Sequence, residues 1–409
     1  MATPALDSSV FNRRRVLAAT AGTLLLAGCG QADRPVDEAE SDGSAAPDGP
    51  ELLIGASLEL TGRGAALGVL QERALRITLD AINTDRVQVG NQRRRVRVVV
   101  RDNRSDPRLA ARQVTELIRQ EQVHALLGTT LPETALGVIG VAQRLQTPFV
   151  SLAPGDGIVL PLTDRTYVYK LTPDAPDVAR RLARLIEQQG LGRVALVVAD
   201  GLHGDSGARA VAAALDTAGV TLDRTVRLPR TGTAFATAAR RAVAGAPDGI
   251  IVWAAAPDAG SAARELRRAG WRGPLFFDAA AVAEETLEGS NATVVEGAYA
   301  VHPACLGGTT LTNTTSAALA RRDFIFRYLQ LHGGFKGFAP YASDAVQLIA
   351  NAARLSHSVD RGRIRAYLQT QVIDGLAGAY AFAPIRHGGM ERDSLGVYQV
   401  NQGGWVRFS

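Results

Sequence analysis

Six histidines, His124, His203, His302, His332, His357 and His387, are the side chains best suited to proton or metal chemistry near neutral pH, and no two stand at helical or finger spacing. No metal site and no cofactor are therefore expected. No Gly-x-Ser-x-Gly elbow is present, and no nucleophile–base pair stands out by type and spacing. Gly62-x-Gly64-x-x-x-Gly68, with Asp102 further on, imitates a dinucleotide fingerprint. Its first glycine comes several residues after the apolar run that would be the strand, and the spacing is one residue too long. The residues thus offer no catalytic constellation, and the chain is expected not to be an enzyme.

The two cysteines differ in context. Cys29 follows Arg13-Arg14-Arg15, an apolar run Val16–Leu26, and Leu26-Ala27-Gly28. A run this short cannot span a bilayer, which takes about 20 residues. A basic head, a short apolar middle and small residues at the end define an export signal, by the twin-arginine or the general secretory route. Leu26-Ala27-Gly28-Cys29 resembles a bacterial lipobox, which implies a signal peptide over 1–28, lipidation of Cys29 and a membrane anchor without a membrane span. Residues 29–50 are rich in Asp, Glu, Ala, Ser, Gly and Pro, and are expected to be a flexible tether. Cys305 then has no disulfide partner and is expected in a half-buried loop.

From Glu51 onward about 360 residues remain, enough for two cores. The formal charge of +5 falls to +3 without the signal segment, too little to argue for nucleic acid. Apolar runs and helical periodicities alternate: strands over 52–58, 96–100, 123–127 and 149–152, with helices between them around Leu67–Ile82, Leu109–Ile118 and Thr134–Leu145. The alternation restarts after Leu171-Thr172-Pro173, with helices over 178–189, 206–218, 235–244 and 259–269 and strands over 194–199, 225–228 (edge-like), 250–253 and 275–277. Helices return near 317–332, 341–356 and 361–369, and a strand pair, 378–382 with 396–400, closes the chain. Asn401-Gln402-Gly403-Gly404 has hairpin chemistry. Two parallel sheets flanked by helices follow, with ligands expected at the carboxyl ends of the strands.

Ile54-Gly55-Ala56-Ser57-Leu58-Glu59-Leu60-Thr61-Gly62, Arg101-Asp102-Asn103-Arg104-Ser105-Asp106-Pro107, Leu127-Gly128-Thr129-Thr130, Asp200-Gly201-Leu202-His203-Gly204 and Pro340-Tyr341-Ala342-Ser343-Asp344 together resemble the type I solute-binding proteins of ABC importers, the leucine/isoleucine/valine-binding branch. The resemblance implies an α/β fold of two Rossmann-like lobes joined by a three-crossover hinge. Lobe 1 would be 51–172 plus 301–385, and lobe 2 would be 173–300 plus 386–409. It implies a monomer outside the cytoplasmic membrane that closes on a small solute and delivers it to a membrane permease. A sensory protein that docks to a receptor is the alternative.

On this resemblance the solute contacts are Thr61, Thr129, Thr130, Glu133, Thr134, Ala153 and Gly155 from lobe 1, and His203 and Asp278 from lobe 2. Asp174 and the Ala254–Ala256 loop lie on the same side. Amino-acid binders of the family place a carboxylate near Ala280; here Asp278, two residues away, is the substitute expected to hold a cation. His203 and Leu67 stand where tyrosines are usual. Asp102 and Asp106 are expected to fix loops and cap helices, Asp200 to cap the helix after it, and Trp253 to pack in the core.

Overall fold

The computed structural model describes residues 50–229, 235–307, 314–333 and 337–408. The expected signal segment, Cys29 and the tether up to residue 49 lie outside the described residues. Among the described residues no helix is long and apolar enough to cross a membrane.

The first sheet forms from β1 (Glu51–Leu58), β2 (Val87–Val89), β3 (Gln92–Asp102), β4 (Ala125–Gly128), β5 (Phe149–Ser151) and β6 (Val168–Lys170), in the order β2-β3-β1-β4-β5-β6. Only β2 is antiparallel to its neighbour. β1 is buried from Leu52 to Leu58, as a central parallel strand must be when helices cover both faces. The helices between its strands are α1 (Ala65–Asp85), α2 (Pro107–Arg119) and α3 (Pro132–Arg144). Asp106 caps α2 by accepting from the N–H groups of Arg108 and Leu109, with Pro107 at the first helical position.

The second half begins with α4 (Ala175–Gln188), whose Val178, Leu182, Leu185 and Ile186 share one buried face. Then follow β7 (Arg193–Val198), α5 (Leu202–Thr217), β8 (Thr221–Arg227), α6 (Phe235–Val243), β9 (Gly249–Trp253), α7 (Asp258–Arg268), β10 (Leu275–Phe277), the short α8 (Glu284–Leu287) and α9 (Asn291–Val294), and β11 (Tyr299–Pro303). The chain returns to the first half with α10 (Ser316–His332), α11 (Pro340–Leu355) and α12 (Arg361–Leu368), where the Thr78 hydroxyl of α1 donates to Ser343 of α11 at 2.6 Å. β12 (Val372–Asp374) and β13 (Ala379–Ala381) form a small hairpin. β14 (Leu395–Asn401) and β15 (Gly404–Arg407) complete the second sheet, ordered β15-β14-β11-β10-β9-β7-β8.

The two-lobe α/β architecture expected from the sequence is therefore present, with three passages of the chain between the halves. The first is pinned by Lys170, which is wholly buried. Its ammonium lies 2.8 Å from Asp174 and donates to the carbonyls of Thr172 and Pro173 at 2.8 and 2.9 Å. The third passage runs beside it, since the Lys170 N–H donates to the His387 carbonyl at 2.9 Å.

Several local expectations change. The segments 378–382 and 396–400 do not pair with each other: β13 pairs with β12, while β14 pairs with β11 and β15. β2 and β6 have three residues each, too short to leave a periodic signal. Gly201 rather than Asp200 holds the N-cap position of α5, at φ 91°, a conformation that suits glycine. Cys305 is fully buried rather than half-buried. Asn401-Gln402-Gly403-Gly404 does close a hairpin, with φ of 52° and 73° at its two central residues.

Candidate functional site

In the first half, β1 is followed by Glu59, which is fully buried. Its carboxylate accepts from the N–H groups of Thr130 (2.7 Å) and Leu131 (3.3 Å) and from the Thr134 hydroxyl. The Thr130 hydroxyl bonds Gln71 at 3.0 Å, and that of Thr129 bonds the Leu131 carbonyl at 3.1 Å. A buried carboxylate with three donors thus bolts the β4–α3 turn to the end of β1. Thr129, Thr130 and Thr134 face this inner network rather than the cavity described below. Thr61 is exposed, with its hydroxyl 2.7 Å from Asp102, and Ala153 is buried in the core, so neither lines the cavity.

Asp102 fixes the loop after β1 as expected: it accepts from the N–H groups of Leu60, Thr61 and Arg104. These bonds hold its carboxyl below the usual range against the opposing effect of burial, which is the largest single influence. The glycine spacing also finds its reason here. A Cβ on Gly68 would lie 2.1 Å from the Glu59 carbonyl oxygen, so α1 can start this close to β1 only with glycine there. The resemblance to a dinucleotide fingerprint comes from packing.

In the second half, the start of α5 presents His203, which is 8 % exposed. Its Nε2 lies 2.8 Å from Asp278 Oδ2. Asp278 also accepts from the N–H groups of Ala254 and Ala280, both at 3.0 Å. Against a carboxylate, Nε2 carries the proton, and Nδ1 has no protein partner among the described residues. The oxygens of Asp278, expected to hold a cation from the solute, serve the backbone and His203 in this structure. Trp253 is buried as expected, with its ring 5.8 Å from that of His203.

A cavity of about 320 Å³ opens where the carboxyl ends of the two sheets face each other. The first half contributes Arg63, Leu131, Glu133 and Pro154, and the second contributes Asp200, His203, Ala256 and Asp258. A smaller space of about 20 Å³, room for one water, lies next to it between Gly155, His203, Asp278 and Tyr341. Glu133, Gly155, His203 and Asp278 are thus brought together around these two spaces. Helices α3, α5 and α7 all begin at the larger one, with Leu131, Gly201 and Pro257 at their N-cap positions, none of which supplies a capping side chain. Helix starts of this kind suit a solute carboxylate or carbonyl.

At the mouth, Arg63 pairs with Glu133 at 3.2 Å, both half-exposed. Asp258 faces this pair from the other half. Burial raises its pKa, Arg63 opposes the rise, and Glu133 adds to it. The mouth therefore carries more acceptor than donor charge. Arg63 lies in the loop 61–67 that the sequence offered for solute contact, whereas Glu59 and Asp258 were not singled out. Asp258 had no signal beyond lying in a strand-end loop, and Glu59 stands directly after a buried, mostly apolar strand. Among the described residues no group of three or more His, Cys, Asp or Glu is placed to hold a metal.

Two Rossmann-like halves with a solute-sized cavity at their facing strand ends define a hinged binding protein. The chain belongs to the periplasmic binding protein family, whose profile matches residues 51–404. Among solved structures it is similar to an extracellular ligand-binding receptor from Rhodopseudomonas palustris HaA2, with a TM-score of 0.78 and 22 % identity over 88 % of this chain and 100 % of that one. A leucine-binding protein from Thermotoga maritima matches with a TM-score of 0.76 and 19 % identity over 88 % and 98 % of the chains. An ABC-transporter solute-binding protein from Rhodopseudomonas palustris BisB5, in complex with 3,4-dihydroxybenzoic acid, matches with 0.73 and 16 % identity over 88 % and 96 %. At these identities the neighbours establish the fold.

Proposed function

We propose that this chain is the extracytoplasmic receptor of an ABC importer, anchored through acyl chains on Cys29, with lobes divided at 51–172 plus 301–385 and 173–300 plus 386–409. It captures an amino acid or a related small carboxylate or amide and presents it to the permease. The observation that carries this reading is the cavity at the facing strand ends, with walls from both halves of the chain. A solute there touches both lobes only when they are closed, so binding favours the closed form. The uncapped starts of α3, α5 and α7 supply donors for a carboxylate or carbonyl, and Glu133 and Asp258 at the mouth supply acceptors for an amine or amide N–H. Glu133, Gly155 and His203 are the retained contacts, with Asp278 acting through His203.

Melting temperature against a panel of amino acids, organic acids, amides and short peptides tests this. A solute at a hundred times its dissociation constant adds about 2.7 kcal/mol of stability, a rise of a few degrees. The expected result is a rise confined to one chemical class. A flat panel, together with no co-purified small molecule by native mass spectrometry, overturns the reading.

A further inference from the structure

We propose that the end of the first sheet opposite the cavity is a docking surface for anionic lipid headgroups. β3 runs from Gln92 at one end of the molecule to Asp102 beside the cavity, eleven residues and roughly 33 Å. Its first half is arginine-rich: Arg93, Arg95 and Arg97 are exposed, and residues 86–101 contain no acidic side chain. The turn of this hairpin lies against the end of α11, where a Cβ on Gly90 would stand 3.4 Å from the His357 carbonyl oxygen. That contact brings exposed Arg354, in the last turn of α11, to the same end. Exposed Arg363 follows on α12, whose Arg361 reaches the carbonyls of Ile118 and Val123 just before β4. Of the carboxylates nearby, Glu51 pairs with Arg97 at 2.8 Å and Glu121 pairs with Arg101 at 3.0 Å. Asp85 and Asp360, the latter accepting from the Arg363 backbone N–H at 2.9 Å, are left to oppose the arginines.

Charged side chains on an edge hairpin also prevent strand-to-strand aggregation. That ordinary use accounts for Arg93 and Arg95, but not for Arg354 and Arg363, which lie on helices. The fit to lipid has two grounds. Guanidinium groups pair with phosphate oxygens in a two-pronged geometry that lysine lacks. The second ground is where the chain enters: the Arg95 N–H donates to the Pro50 carbonyl at 3.2 Å, so the N-terminal segment joins the fold at this hairpin. With Cys29 anchored, the intervening 20 residues would hold this end within roughly 25 Å of the bilayer, close enough for weak electrostatic contact to become populated. The cavity, at the other end of the strands, would then stand clear of the membrane for capture. Docking to a permease would require release.

The test needs no anchor, because residues 47–409 form a compact unit on their own. This unit is floated with phosphatidylcholine vesicles containing about one third phosphatidylglycerol, and with phosphatidylcholine alone. The expected result is binding to the first, about tenfold weaker binding to the second, and loss at about 0.5 M salt. Arg93→Glu/Arg95→Glu is expected to weaken vesicle binding about tenfold with the melting temperature unchanged. Arg264→Glu/Arg268→Glu, on the basic face of α7, is expected to float like the wild type. Should the hairpin variant melt lower, Arg363→Glu alone decides, with an expected loss of about threefold. Absent binding, equal binding to both vesicles, equal losses from the hairpin and α7 variants, or an Arg363→Glu chain that floats like the wild type would each overturn the proposal.

Discussion

On the proposed function, recognition turns on His203, which with Pro154 lines both the larger and the smaller space and whose Nδ1 has no protein partner among the described residues. Its orientation is set from behind. Asp278, held by the N–H groups of Ala254 and Ala280, fixes Nε2 at 2.8 Å and so presents Nδ1 to the solute. His203→Ala is expected to weaken solute binding at least about tenfold while the protein remains folded, since it removes one buried hydrogen bond to the ligand and little packing. Asp278→Ala should weaken binding too, through loss of that orientation, and should also lower stability by about 2 kcal/mol because two buried N–H groups lose their acceptor. Titration calorimetry and denaturant unfolding of both variants check this. Equal affinity in wild type and His203→Ala removes His203 from the site. Tighter binding of anionic solutes by Asp278→Ala would instead mean that Asp278 faces the ligand directly.

Among the elements, α11 carries the most consequential buried charge. Asp344, wholly buried, accepts from the N–H groups of Leu376 (2.6 Å) and Ala377 (2.9 Å) and from the Tyr380 hydroxyl (3.0 Å), tying α11 to the β12–β13 hairpin. Burial raises its pKa to about 7 despite these donors. Folded Asp344 therefore binds a proton that the unfolded chain releases near 3.8, so its contribution to stability is present below that value and lost as pH rises through about 7. Buried His302 acts in the opposite sense. Burial lowers it from 6.5 to about 4, so its contribution is present above 6.5 and lost as pH falls toward 4. In Asp344→Asn the first contribution disappears, and stability is expected to rise more steeply between about pH 5 and 7 than in the wild type. Unfolding in urea at the two ends of that range checks it, and an unchanged slope would show that Asp344 does not titrate there. The same element shows what the sequence could and could not disclose. The helix starting at Pro340-Tyr341 was legible from its motif and period, as were the parallel strands from their apolar runs. The partner of Asp344 was not, because Leu376 and Ala377 lie more than 30 residues away and contribute backbone N–H groups, which no side-chain pattern reports. The inner network of Thr129, Thr130 and Thr134 was not legible for a related reason. Their position after β4 was right, but the buried carboxylate that claims their turn comes from the end of another strand, 70 residues earlier.

For the whole molecule, the three passages set how the halves can move. Two of them lie side by side at Lys170 and His387, where Asp156 also approaches the buried ammonium at 3.7 Å. Hinge closure takes place at a few residues of such connecting passages. The cavity walls meet across Glu133 and Asp258, two carboxylates on opposite halves that share one guanidinium, Arg63. Without a solute Arg63 links the two walls, because its attraction for Asp258 outweighs the repulsion from Glu133. A solute shifts the balance of open and closed forms by as much as it favours the closed form over the open one. A closed globule of this size has a radius of gyration of roughly 21 Å. Small-angle scattering is therefore expected to show the radius falling toward that value on addition of the solute that raises the melting temperature. Asp258→Asn, which removes the charge that Arg63 attracts across the cavity, should raise the radius without solute and enlarge the change on binding. A radius that is the same with and without a solute known to bind would mean that capture occurs in a rigid cleft, and the permease would then have to sense occupancy by something other than shape.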